Sequence, residues 1–429
     1  MKIREVRGRE VLDSRGSPTV EADVELADGS TASAIVPSGL STGRREAHEL
    51  RDTELARWSG RGVLGSVSKI NGQVRKDLVG TEADIERIDH SLIELDGTTT
   101  KSNLGANTIL AVSLASARAI AVSRRIPLYR LLGELIGTRS FSIPTPMVNI
   151  ISGGLHAGGT IEMQDFLVVP IGASSFHQAL EWVGSVYRAT RKLLRESGFS
   201  TLLADEGGFG PSLKSNEEPL KLLQKAVSVA GLSLERDLAL AVDAASSHFF
   251  RRGTYRLEGR TLRSNAMVGL FERWIGEYPV VSIEDGCAED DLAGWIELTK
   301  ALGKKIQLVG DDLFTTNPTL IEDGKAKGVA NSVLIKPNQI GTLSETLEAI
   351  RTCRKVGYAP VVSARSGDTE DSLIADLAVG TAAGQIKIGS LARSERTAKY
   401  NQLLRLEEQL EGRAHYAGLQ PFPFESWGR

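Results

Sequence analysis

"PVVSIE", residues 279–284, and "IQLVGD", residues 306–311, decide the fold. Each is a short apolar run that ends in a carboxylate, and a helix-sized stretch lies between them. Such runs suit strands buried on both faces, and the spacing is that of one βα unit. The unit recurs at 238–242 ("LALAV"), 331–335 ("NSVLI"), 360–363 ("PVVS") and 383–386 ("AGQI"). Successive βα units imply a parallel sheet, and this many in roughly 290 residues favour a closed βα barrel over an open doubly wound sheet. An open sheet usually carries a glycine-rich phosphate loop after its first strand, and none is visible here.

The rhythm upstream is different. Residues 18–37, "PTVEADVELADGSTASAIVP", alternate apolar and polar residues around Asp28-Gly29-Ser30, which reads as a β-hairpin with one buried face. Helical patterns follow over 62–79, 84–95 and 105–125, the last rich in Ala and Ser as suits close helix packing. The expected fold class is therefore α/β: an α+β N-terminal domain over residues 1–138, then a TIM-like βα barrel over 139–429.

Composition narrows the function. The 429 residues are 41% hydrophobic and 24% charged, with a formal net charge of -3. That balance disfavours a nucleic-acid binder, which usually carries a basic surplus. The two cysteines, Cys287 and Cys353, have no metal-ligand spacing, so neither structural zinc nor a disulfide is expected. The charged opening "MKIREVRGREVLDSRG" does not read as a signal peptide, and no uninterrupted apolar run is long enough for a bilayer. A cytoplasmic protein with no membrane partner is the expectation.

In a βα barrel the residues just past each strand converge on one mouth. Here they are Asp243, Glu284, Asp311, Lys336, Arg365-Ser366 and Lys387: three acidic positions, then three basic ones. Singly, Asp243 and Asp311 also read as helix or turn caps. Together they suggest a site in two halves. Three carboxylates repel unless a cation joins them, and all-oxygen ligation suits Mg²⁺ or Mn²⁺. Lys336, Arg365 and Lys387 form an anion pocket, in which the Arg365 fork and the Ser366 hydroxyl suit phosphate oxygens. A lysine crowded by other cations and a metal has a depressed pKa and can act as a base near neutrality. Two glycine-rich loops are placed to close over this mouth. "SGGLHAGGTIEMQDF", 152–166, carries His156, Gln164 and Asp165, and "LLADEGGFGPS", 202–212, presents Glu206 as a candidate general acid or a solvated turn residue.

These motifs resemble the enolases from end to end. The matching segments include "VLDSRGSPTVEADV" (11–24), "VPSGLSTGRREAHELRD" (36–52), "GANTILAVSLASARA" (105–119), "LADEGGFGP" (203–211), "SIEDGCAEDD" (282–291), "GDDLFTTNP" (310–318), "LIKPNQIGTLSET" (334–346), "SARSGDTED" (363–371) and "ARSERTAKYNQLLRLEE" (392–408). The resemblance implies Mg²⁺-dependent dehydration of 2-phosphoglycerate to phosphoenolpyruvate by a homodimer or octamer. It implies that Asp243, Glu284 and Asp311 hold one magnesium and that Ser41 is a ligand of a second, which arrives with substrate. Lys336 corresponds to the base at C2 and Glu206 to the acid that assists departure of the C3 hydroxyl. Arg365 and Ser366 correspond to phosphate contacts, Lys387 to the carboxylate contact, and His156 and Gln164 to further substrate contacts. Two positions depart from the family pattern: Ala364 stands where enolases carry histidine, and Asp165 where they carry glutamate. Both belong to the elimination side of the site. An enolase-derived enzyme acting on a related phospho- or phosphono-acid, as carboxyphosphonoenolpyruvate synthase does, is the alternative reading. A non-catalytic protein on the same scaffold is another, disfavoured by the intact acidic trio and lysines.

Overall fold

The computed structural model describes residues 1–39, 43–159, 161–425 and 427. It begins with a three-stranded antiparallel sheet of Ile3–Leu12, Pro18–Leu26 and Thr31–Ile35. The last two strands form the expected hairpin, with Gly29 at a φ of 87° that its turn requires. The strand Ile3–Leu12 is masked in the sequence by its charges, since only Ile3 and Val6 of it are buried. Helices Ile85–Asp96 and Ala106–Ser123 follow where expected, while the pattern over 62–79 is a helix interrupted by a wider turn at Ile70–Val74. Among the described residues, Ala106–Ser123 alone is long and apolar enough to cross a bilayer. Within the protein 78% of it is buried, packed on the hairpin strands as a core helix.

Among the described residues, eight strands close into a barrel. In chain order they are Thr145–Ser152, Asp165–Val169, Ala239–Asp243, Val280–Glu284, Gln307–Gly310, Ser332–Ile335, Ala359–Ser363 and Gln385–Gly389. One strand departs from the all-parallel expectation: Asp165–Val169 runs antiparallel to both neighbours. The described residues of the connection before it, 153–159 and 161–164, hold no α-helix to carry a parallel crossover, so the chain returns as a hairpin. The reversal matters for the site. It sets Asp165, the first residue of its strand, opposite Asp243, the last residue of the next. Alternate residues such as Leu167, Ala241, Val281, Val309, Leu334 and Val361 form one apolar cluster. Beside them Gln307 and Gln385 exchange amide hydrogen bonds of 2.9 and 2.8 Å, so these buried polar groups are satisfied.

The N-terminal sheet and helices are keyed to the barrel by polar contacts. Arg118 donates two hydrogen bonds, of 2.6 and 2.7 Å, to Asp371. Asp89, on Ile85–Asp96, accepts from the Ser344 amide in the first turn of Leu343–Val356 at 2.8 Å. Burial raises the Asp89 carboxyl to about 6 from its ordinary 3.8. The folded protein thus holds this proton more tightly than the unfolded chain. The associated stability is complete below about pH 4 and is lost as pH rises through 6, by up to about 3 kcal/mol. Asp89→Asn has no such titration, so its apparent urea midpoint should exceed that of the native protein at neutral pH and vary less between about pH 4 and 7. An unchanged pH slope in the variant would refute the assignment.

Candidate active site

The barrel mouth opens into a cavity of about 360 Å³, counted out to solvent. Asp243 and Glu284 are register partners on adjacent parallel strands, and Asp311 follows the next strand. All three carboxylates therefore arrive at one rim. The bases do not face them across a gap, as the order of the sequence suggested, but are interleaved with them. Lys387 Nζ donates to Asp243 Oδ2 and Glu284 Oε2, both at 2.7 Å. Lys336 Nζ donates to Asp311 Oδ2 at 2.5 Å, and Gln339 Nε2 to the other oxygen at 2.8 Å. Burial alone would depress both lysines. The Asp311 charge outweighs it at Lys336, and Asp243 with Glu284 outweighs it at Lys387, so both lysines are raised. The nearest charges to both lysines are acids, not other cations.

Glu284 is only 3% exposed, and burial followed by the charge of Asp243 pushes its carboxyl well up. Three hard-oxygen donors brought to one rim, with Lys387 and Lys336 set among them, suit a divalent cation. Among the described residues, two groups have ligand atoms within 4.8 Å of one another: Asp285, Asp311 and Asp312 beside this rim, and His156, Asp165 and Glu206 across the mouth. Asp285 there is a structural acceptor, taking the amides of Asp311 and Asp312 at 2.9 and 3.0 Å. Ser41, expected as a ligand of a second metal, lies outside the described residues.

His156 and Glu206 line the cavity, together with Gln164, whose Nε2 donates to Asp243 Oδ2 at 3.0 Å. Asp165 stands behind His156, fully buried, with Oδ2 at 3.3 Å from Nδ1. Its other oxygen accepts from Asn149 and Ser152. On the far side, His156 Nε2 is 3.9 Å from Glu206 Oε1. Burial would lower the imidazole, but the charges of Asp165 and Glu206 raise it to about 9. Burial raises Glu206, yet His156 and then Arg396 outweigh it and leave the carboxyl below its ordinary value. This side therefore sets His156 between two acids, of which burial raises Asp165 while His156 holds Glu206 down. Ala364, also on the cavity wall, adds only a methyl group.

Arg365 and Ser366 sit on the loop after Ala359–Ser363, and buried groups that sequence reasoning did not single out hold that loop. Arg396, 0% exposed, donates to the carbonyls of Arg365, Ser366 and Ile388 at 2.6, 2.7 and 3.0 Å. Asp368 accepts from the Arg365 amide and from Lys399. The N-terminal segment closes the other side: Ser38 and Gly367 exchange backbone hydrogen bonds of 2.8 and 3.0 Å, and Ser14 N donates to Asp368 O at 2.8 Å. A positive cradle held this rigidly is suited to an oxyanion.

Residues 3–132 match the family described as enolase, N-terminal domain, and residues 140–423 match enolase, C-terminal TIM barrel domain. The chain belongs to the enolase family. Among enolase-family features, the strand-end residues were legible because each buried strand changes abruptly from apolar to charged. The braces Asp13, Ser38, Arg396 and Lys399 were not, although "VLDSRGSP" and "ARSERTAK" were visible as motifs. Their partners lie in distant segments.

The closest of these contacts leaves no room at Gly367. A Cβ there would meet Arg15 Nη2 at 2.4 Å, Ser38 Oγ at 2.6 Å and Asp13 Oδ2 at 2.8 Å. Gly367→Ala should push the N-terminal brace off the loop, costing on the order of 2 kcal/mol and weakening phosphate binding several-fold. Thermal melting and calorimetry with inorganic phosphate measure the two effects, and a variant with native values for both would show that the brace is dispensable.

Proposed function

We propose that the protein dehydrates 2-phosphoglycerate to phosphoenolpyruvate. The observation that carries this reading is one cavity lined by a lysine, an arginine-serine loop, a second lysine and a His–Glu pair, with three carboxylates at its rim. Arg365 and Ser366 bind the phosphate, and Lys387 pairs with the substrate carboxylate. Lys336 removes the proton at C2. It does so only as the neutral amine, a form that burial favours and the Asp311 carboxylate opposes. Asp311 is among the residues that would hold a divalent cation, and in that role it would oppose the neutral amine less. A divalent cation, Mg²⁺ on this reading, held by Asp243, Glu284 and Asp311 would supply electrostatic stabilisation of the charge that builds on the substrate carboxylate. The C3–O bond then breaks as the C2–C3 double bond forms, and the hydroxyl leaves as water with a proton from the Glu206–His156 pair. Asp165 orients the imidazole from behind, as the acid of an acid–histidine dyad does.

Two variants separate the halves of the reaction. Lys336→Ala should abolish exchange of the C2 proton with solvent. Glu206→Gln should keep exchange and lose phosphoenolpyruvate formation, read by ultraviolet absorbance, by a factor of about 10² or more. Proton exchange at the native rate in the lysine variant would remove Lys336 as the base. Asp243→Asn should weaken Mg²⁺ binding about tenfold or more by calorimetry, because a hard-cation site loses an anionic ligand. Native affinity in that variant would remove Asp243 as a ligand.

A second reading is favoured by one observation, the methyl group of Ala364 on the cavity wall. It leaves space and no hydrogen bond beside the reacting carbon, which suits a related phospho-acid with a larger group there. Exchange of the C2 proton of 2-phosphoglycerate without any dehydration would favour this reading over the first.

A further inference from the structure

Glu46 is the one acidic side chain from the N-terminal part that is bonded directly to the candidate phosphate-binding arginine, among the described residues and contacts. It follows the segment 43–45 and lies on the barrel mouth, with its side chain 8% exposed and that of Arg365 3% exposed. Arg365 Nη1 donates to Glu46 Oε2 at 2.9 Å and Nη2 to Oε1 at 3.3 Å, a two-pronged pair. The same carboxylate accepts from the Gly43 amide at 2.9 Å and from Gln339 Nε2 at 3.4 Å. Asn338 Oδ1 accepts a further hydrogen bond from Arg365 Nη1 at 2.9 Å.

We infer that Glu46 moderates the affinity of the anion site. It neutralises Arg365 in the ligand-free protein and remains beside the substrate's phosphate when that group binds. The inference rests on the reading of Arg365 as the phosphate contact. An arginine buried without a counter-ion would bind any oxyanion tightly, whether substrate, product or inorganic phosphate. Such uniform tightening lowers KM without raising kcat, and it slows product release. A resident carboxylate removes part of that indiscriminate attraction. Two charges separated by the width of a guanidinium, roughly 6 Å, interact strongly enough at a partly buried site to change a binding constant about tenfold. Through the Gly43 amide the same carboxylate also holds the backbone at the start of 43–45.

The test is calorimetric titration of inorganic phosphate, with kcat and KM for 2-phosphoglycerate, in the full-length protein. Glu46→Gln removes the charge and keeps an oxygen that can accept from Gly43 N. It should bind phosphate about tenfold more tightly and lower KM by a similar factor, with kcat unchanged or reduced. Glu46→Asp draws the charge back by one methylene and should tighten phosphate binding about threefold, and it serves as the deciding variant if Glu46→Gln does not fold. Arg365→Gln tests the underlying reading separately. If Arg365→Gln binds phosphate as well as the native protein, the anion-site assignment fails. If it loses phosphate while the Glu46 variants bind phosphate no more tightly than the native protein, or more weakly, the anion site stands and the moderating role of Glu46 is overturned.

Discussion

Lys387, shared between Asp243 and Glu284, is the contact on which the barrel mouth depends. Three carboxylates and two lysines are withdrawn from water at this rim, and each charge is tolerable only because an opposite one touches it. Removing one member of a buried pair leaves the other uncompensated, at a cost of about 3–5 kcal/mol. The rest of the mouth follows the same rule. Lys336 is tied to Asp311, Arg365 to Glu46 and His156 to Asp165 and Glu206. The site is therefore a compensated system of charges, in which any ligand must compete with partners already in place.

That interleaving explains what the sequence could and could not reveal. The end of a buried strand is marked by a sharp change from apolar to charged, as at Ile283-Glu284 or Ile386-Lys387, and this located the functional rim. The linear order placed acids on three early strands and bases on three later ones, which suggested two facing halves. Closure of the barrel removes the separation. Lys387 follows Asp243 by 144 residues, yet the last strand curls round beside the first and its side chain reaches the third. Linear order gives the strand on which a residue lies but not its neighbour across the mouth.

The reversed strand and the N-terminal braces were hidden for a different reason. Thr145–Ser152 and Asp165–Val169 are wholly buried, so neither shows the alternation that would betray a hairpin. The braces act only through tertiary contacts. Asp13 accepts from Ser38, Ser38 pairs with Gly367, and the loop that carries Arg365 is set by residues more than 300 positions upstream. The anion cradle is thus a joint product of both parts of the chain. An isolated barrel would retain the acidic rim but lack Glu46, Ser14 and Ser38.

The backward run of Asp165–Val169 has a further result. Every other wall strand reaches its successor through a connection that carries an α-helix, whereas here the turn itself puts His156, near its start, and Gln164, at its end, on the cavity wall. Residues added to or removed from a helical crossover must be absorbed by the outer ring of the barrel. Residues added to this hairpin tip need not disturb strand pairing at all. At this tip the entrance can be widened, narrowed or re-lined by changes of length, while the charged rim beneath keeps its register.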